Sequence, residues 1–79
     1  MRRIVPVSSI TEINMGETED GMYQIIFVWG EGEGKAYFVE SEEILNTLFS
    51  EYVEPYLGEP SVYAWDFDDN NDLPSVIIK

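Results

Sequence analysis

The sequence predicts a small single α+β domain: an antiparallel sheet of four to five strands, in the order β-β-β-α-β-β, with one amphipathic helix on one face. Two patterns carry this prediction. Residues 22–29, MYQIIFVW, are the strongest β-branched and aromatic run. Residues 41–54 carry apolar side chains at helical spacing. The short connections favour a helix packed on antiparallel neighbours.

The first strand is predicted within residues 4–15, where β-branched residues are frequent. Pro6 has no backbone N–H and should keep part of this strand at a sheet edge. Residues 9–12, SITE, also match a helix capping box, so a short helical turn is the alternative. Residues 16–21, GETEDG, have the composition of a turn.

The segment GEGEG, residues 30–34, predicts a hairpin loop because it has three glycines in five positions. It joins the strand at 22–29 to a second strand at 35–40. These two strands are expected to pair in antiparallel fashion.

The helix is predicted to begin after Ser41, which is a favourable N-cap residue. Glu42 and Glu43 then fall in the first turn, where the helix dipole favours anions. Pro55 should end the helix near Glu54. The predicted apolar stripe is two rows wide and consists of Ile44, Leu45, Leu48, Phe49, Tyr52 and Val53.

Residues 61–67 alternate in polarity and predict a strand with Tyr63, Trp65 and Phe67 on one face. Residues 75–79 predict a short strand that pairs with it. Because the strand at 22–29 is apolar on both faces, one helix would leave part of the sheet uncovered. A homodimer or a partner protein would cover that surface, or residues 1–15 would fold back over it.

Charge is the most pronounced feature of the composition. The 79 residues contain 16 acidic and four basic side chains, for a net charge of −12. Arg2, Arg3 and Lys79 lie at the termini, which leaves Lys35 as the only internal base. Such a field repels nucleic acid and anionic lipid and attracts basic protein surfaces. We therefore expect no direct nucleic-acid binding and no membrane association, although solubility alone would also explain the acids.

The absence of several residue types narrows the functional classes. The chain has no histidine and no cysteine, so the commonest general base and the strongest nucleophile are missing. Residues 33–35, EGK, have the spacing of a metal-dependent nuclease motif, but a glycine-rich turn would hold such a site poorly. We predict neither an enzyme nor a cofactor. Without cysteines or a long apolar run, a cytoplasmic protein is expected.

The acidic segment at residues 66–72, DFDDNND, resembles part of a calcium-binding loop. Asp66, Asp68 and Asn70 match its first three ligand positions. Asn71 replaces the glycine of the loop and Ile77 replaces its bidentate glutamate. Half of the ligand set is missing, so a turn is the simpler interpretation and no metal site is predicted.

Rows of carboxylates on three elements suggest a different role. Residues i and i+2 of a strand lie about 6.6 Å apart, a separation that could mimic neighbouring phosphates. Asp66 with Asp68 and Glu31 with Glu33 form such pairs. On the predicted helix, Glu43 and Glu54 lie on the same exposed side, and Glu51 is displaced toward its flank. The predicted contact residues are Glu31, Glu33, Glu43, Glu51, Glu54, Asp66, Asp68, Asp69 and Asp72.

The acid runs GETEDG, GEGEG, ESEE and DFDDNND, with the small size, give the chain its family resemblance. It resembles the small acidic phage-encoded inhibitors that imitate DNA, the anti-CRISPR and anti-restriction proteins. The resemblance implies that the chain occupies the nucleic-acid channel of a CRISPR effector or restriction enzyme in the host-cell cytoplasm.

Two other classes fit the same size and acidity. One is an immunity protein that neutralises a basic nuclease toxin; the other is a structural or assembly protein with an acidic surface. Either inhibitor class would need aromatic anchors at its interface, although most aromatic residues are expected in the core. The candidates are Tyr23, Trp29, Tyr37, Tyr52, Tyr56, Tyr63 and Trp65.

Overall fold

The structure, a computed structural model, describes residues 2–68 and 75–78. These residues form an α+β fold, as predicted, with six strands and two consecutive helices. The elements in chain order are β1 Arg2–Pro6, β2 Glu12–Glu17, β3 Tyr23–Gly30, β4 Glu33–Val39, α1 Glu42–Tyr52, α2 Glu54–Leu57, β5 Tyr63–Asp68 and β6 Ser75–Ile78.

The strands form two antiparallel three-stranded sheets, so the predicted single sheet of four to five strands is wrong. One sheet has the order β1-β5-β6 and the other has the order β2-β3-β4. The expected first strand is divided because Val7–Ser9 form a short 3₁₀ helix after Pro6. The chain therefore leaves β5 at Pro6 and begins to pair with β3 at Glu12.

The inner faces of the two sheets form the core. The Phe27 ring lies 5.2 Å from the Trp65 ring and 5.1 Å from the Phe67 ring, measured between centroids. Ile25 and Tyr37 are also buried there. Tyr37 and Trp65 are therefore core residues and not interface anchors.

The β1-β5-β6 sheet covers the face of β3 that carries Ile25 and Phe27. Ile26 and Val28 point to the other face and are only partly buried. Phe38, which pairs with Gln24 on this outer face, is 58% exposed. Some apolar sheet surface therefore remains open, as the sequence predicts, and the homodimer stays a prediction.

Helix α1 begins as predicted. The Ser41 hydroxyl oxygen accepts a hydrogen bond from the Ile44 backbone N–H at 3.2 Å, which satisfies one of the unpaired amides of the first turn. Leu45 and Leu48 are buried against the sheets. Ile44 remains 48% exposed, so the apolar stripe is narrower than two full rows.

The helical segment ends in two steps. Helix α1 stops at Tyr52 because Val53 departs from helical geometry, with φ −121° and ψ −62°. Pro55 then lies in the first turn of α2, where its missing N–H costs no hydrogen bond. The Trp65 indole N–H donates to the Tyr52 carbonyl at 3.0 Å and ties the end of α1 to β5.

Candidate acidic interaction surface

The turn between β3 and β4 holds two of the predicted contact acids. Gly30 and Glu33 are paired, so Glu31 and Gly32 form a two-residue turn between the strands. Gly32 has φ +76°, a conformation that favours glycine. Glu31 therefore lies in the turn and Glu33 begins β4, so the prediction that the two residues share the geometry of one strand is wrong.

Glu33 is held in an intramolecular network that joins the two sheets. One carboxylate oxygen lies 3.3 Å from the Arg3 guanidinium on β1, and the other accepts a hydrogen bond from the Trp29 indole N–H at 3.1 Å. The Trp29 ring stacks on Phe67 of β5 at 4.9 Å. Arg3 partly offsets the charge of Glu33, so the main role of Glu33 is to join the two sheets.

The two bases whose side chains the structure describes, Arg3 and Lys35, lie near this same turn. Both line a cleft of about 270 Å³ together with Trp29 and Phe67. The Lys35 ammonium lies 5.5 Å from the Tyr37 ring centroid, within cation–π range. The β3–β4 turn is therefore the less acidic end of the β2–β3–β4 sheet.

Strand β5 does not present a row of acids. Asp66 is only 8% exposed, because β5 is the central strand and this residue lies between Ile4 of β1 and Ser75 of β6. The structure therefore removes Asp66 from the predicted contact surface. Asp68 ends the strand, and its side chain, like Asp69 and Asp72 and most of the calcium-loop segment, lies outside the described residues.

The helical acids are exposed, but they do not form one continuous row. Glu43 lies in the first turn of α1, and Glu51 lies eight positions later, about 12 Å along the axis. Glu54 belongs to α2, beyond the break at Val53. The predicted alignment of Glu43 with Glu54 on one helix is therefore interrupted.

A group of exposed acids at one end of the β2–β3–β4 sheet contains only one of the predicted contact residues, Glu43. At the end of the sheet remote from the β3–β4 turn, Glu17, Tyr23 and Val39 form a row across β2, β3 and β4. The β2–β3 turn and the start of α1 both adjoin this row. We call this surface the acidic end, and it consists of Glu17, Glu19, Asp20, Glu40, Glu42 and Glu43, all exposed.

No base lies near the acidic end among the described side chains. Lys35 is four residues before Val39 on β4, about 13 Å away along the strand. Arg3 contacts Glu33, at the opposite end of the same strand. The acidic end is thus an uncompensated anionic surface, which favours contact with a cationic one.

The six residues of the acidic end come from three connected elements of the fold. Only one of the six, Glu43, is among the contact residues predicted from the sequence. The runs GETEDG and ESEE are visible in the sequence, but they are about twenty residues apart. Their proximity follows from the register that pairs Glu17 with Tyr23 and Tyr23 with Val39. The sequence does not specify this register, so it does not predict that the two acid runs meet.

The acids are spread across a surface and do not surround an ion. Within residues 2–68 and 75–78, no three acidic side chains are grouped so that they could hold a metal. The same residues contain no helix with the length and apolarity needed to cross a membrane.

Comparison with known protein families, with characterised proteins and with solved structures finds no match to this chain.

Proposed function

We propose that this protein is an acidic inhibitor that imitates nucleic-acid charge and occupies the basic nucleic-acid-binding groove of a CRISPR effector or a restriction enzyme. The observation that supports the proposal is the acidic end, where six exposed acidic residues come from the end of β2, the β2–β3 turn, the residue after β4 and the first turn of α1, and no described base lies among them. In this account the protein binds a protein groove and does not itself bind nucleic acid or catalyse a reaction.

At the acidic end, the width of the β2–β3–β4 sheet is close to the length of duplex that carries six charges. A DNA duplex carries one negative charge per about 1.7 Å of its axis, so six charges correspond to about 10 Å of duplex. The row from Glu17 through Tyr23 to Val39 spans two strand spacings, also about 10 Å. Glu17 ends β2 and Glu40 directly follows β4, so the acidic end has an acidic residue at each edge of a surface of that width.

The uneven distribution of charge would orient the protein as it approaches such a groove. Acids dominate one end of the β2–β3–β4 sheet, while Arg3 and Lys35 lie near its other end. A basic groove attracts the first end more strongly than the second, where Glu31 and Glu33 offset the two bases, and this difference raises the rate of productive encounter. The acidic end therefore enters the groove first.

An order-of-addition assay tests the proposal. We would use purified RNA-guided DNA nucleases and restriction endonucleases, and measure DNA binding by fluorescence anisotropy and DNA cleavage on gels. Protein added before the DNA should block both, and protein added after the DNA should block much less, because the groove is already filled. Higher salt should weaken the inhibition by screening the charges.

Two outcomes would contradict the proposal. One is that none of the enzymes loses DNA binding. The other is that an enzyme is inhibited while its DNA remains bound, because an inhibitor that imitates DNA must compete with DNA. The second outcome would instead agree with an immunity protein that blocks a nuclease outside its DNA-binding groove.

A further inference from the structure

A groove of about 270 Å³ adjoins the acidic end, between strand β2 and helix α1. It differs from the rest of that surface because apolar and acidic side chains line it together. The lining residues from the sheet are Met15, Gly16, Glu17 and Tyr23, and those from the helix are Glu42, Leu45 and Asn46.

The floor of the groove is apolar and only partly covered. Met15 on β2 is 46% exposed, although it lies on the inner face of the sheet and pairs with the fully buried Ile25. Leu45 is buried beneath the groove, and Tyr23 packs against the core with part of its side chain accessible. An aliphatic chain placed here would remove apolar surface from water.

The walls of the groove are acidic on both sides. Glu17 comes from β2 and Glu42 from the first turn of α1, and both are exposed. No basic side chain lines this groove. A ligand that fits both features has an aliphatic stem for the floor and a cationic head for the walls.

We propose that this groove binds an arginine side chain of the partner, which inserts its aliphatic stem over Met15 and its guanidinium between Glu17 and Glu42. The inference rests on the proposed function and names the group of the basic groove that is recognised. The cavity has room for about nine waters, which is enough for one such side chain. It is therefore a one-residue socket within a larger charged interface.

Arginine suits this groove better than lysine does. Its guanidinium is planar, has donors on several edges that can reach two carboxylates, and is less strongly hydrated than an ammonium. It can also lie over the Tyr23 ring, which lines the same groove. An ammonium would place its charge at one point and keep more of its water.

Nuclear magnetic resonance with small probes tests the proposal without a known partner. Nα-acetyl-arginine amide, the lysine amide and the uncharged citrulline amide would be titrated into the full chain. The arginine probe should shift the methyl signals of Met15 and Leu45 in a saturable way. The lysine probe should bind several-fold more weakly, and the citrulline probe about tenfold more weakly, because it lacks the charge.

Three variants locate the binding. Glu17→Gln with Glu42→Gln should weaken arginine-probe binding about tenfold, since both charge-assisted contacts are lost. Glu12→Gln with Glu59→Gln removes the same net charge from exposed positions outside the groove and should change arginine-probe binding less than twofold. Met15→Ala keeps both acids and should still weaken binding several-fold through loss of the floor.

The outcomes separate this inference from the proposed function. If the arginine probe leaves the Met15 and Leu45 signals unmoved, or if lysine binds equally well, the arginine socket is wrong. If the probe binds but the protein displaces DNA from no nuclease, the socket stands and the proposed function falls. Equal effects of the two double variants would show a general charge effect and would also overturn the socket.

Discussion

Phe27 is the residue at which the two sheets meet. Its ring contacts Tyr37 in an edge-to-face arrangement at 6.0 Å and also contacts Trp65 and Phe67, and its side chain is fully buried. Replacing it with alanine would leave a cavity between the two sheets. The packing of the whole domain therefore depends on this position.

We expect Phe27→Ala to lower the free energy of unfolding by about 3–5 kcal/mol, enough to unfold much of a domain with typical marginal stability. Phe38→Ala removes the same ring from an exposed position and should change it by less than about 0.5 kcal/mol. Urea denaturation followed by tryptophan fluorescence measures both. Similar losses in the two variants would contradict the assignment of the core.

Ser41 offers a test of the start of α1. Its hydroxyl accepts the Ile44 N–H, so Ser41→Ala should cost about 1 kcal/mol. Ser50→Ala is the matched control, because the Ser50 hydroxyl donates to a carbonyl within the helix and alanine is the better helix former. That variant should be neutral or slightly stabilising. Thermal unfolding of both would show whether the cap has the predicted value.

At the scale of the element, the β3–β4 hairpin depends on a close approach at Gly34. The strand register shifts between Val28 and Gly30, and a Cβ at Gly34 would lie only 2.7 Å from the Phe27 carbonyl oxygen. This contact is with backbone, so neither strand can relieve it by a rotamer change. The hairpin must separate locally to accept any side chain at this position.

Gly34→Ala should therefore lower the free energy of unfolding by about 1–3 kcal/mol. Gly16→Ala on β2 is the control, because its Cβ would meet no atom within 4 Å and its φ is not positive. That substitution should be neutral or stabilise the protein by up to about 1 kcal/mol. Urea titration of both variants gives the comparison, and an unchanged Gly34→Ala midpoint would refute the close approach.

The elements that sequence predicts well are those specified by local chemistry. Ser41 marks the start of α1, the glycines of residues 30–34 mark the hairpin, and β6 pairs with β5 as expected. The division of residues 4–15 between two sheets is not a local property. The same β-branched residues suit either partner strand, and only the tertiary packing around Phe27 decides which residues join β5 and which join β3.

At the scale of the whole molecule, the net charge is the main electrostatic influence on stability. The chain carries −12, and its acidic end has no described base nearby, so the acids repel one another in the folded state. Added salt should therefore stabilise the protein. Between about 0.02 and 0.3 M sodium chloride, screening worth about 1 kcal/mol would raise Tm by about 4–8 °C. A Tm that is unchanged or falls would show that repulsion is not a main term.

The candidate site is a property of the whole molecule as well. The sequence reveals how many acids there are and where the runs lie, but it does not reveal that the runs at 16–21 and 40–43 come together at one end of a sheet. It also cannot reveal that Asp66 is buried or that Glu33 pairs with Arg3. Strand pairing decides the first two, and the packing of one sheet on the other decides the third.

The most direct test of the central claim compares two triple variants in the DNA-competition assay. Glu17→Gln, Glu19→Gln and Asp20→Asn remove three charges from the acidic end, and Glu51→Gln, Glu54→Gln and Glu59→Gln remove three exposed charges elsewhere. The concentration of protein that displaces half of the DNA should rise at least about tenfold for the first triple and less than about twofold for the second. Equal rises would contradict a role for the acidic end as the surface that imitates nucleic acid.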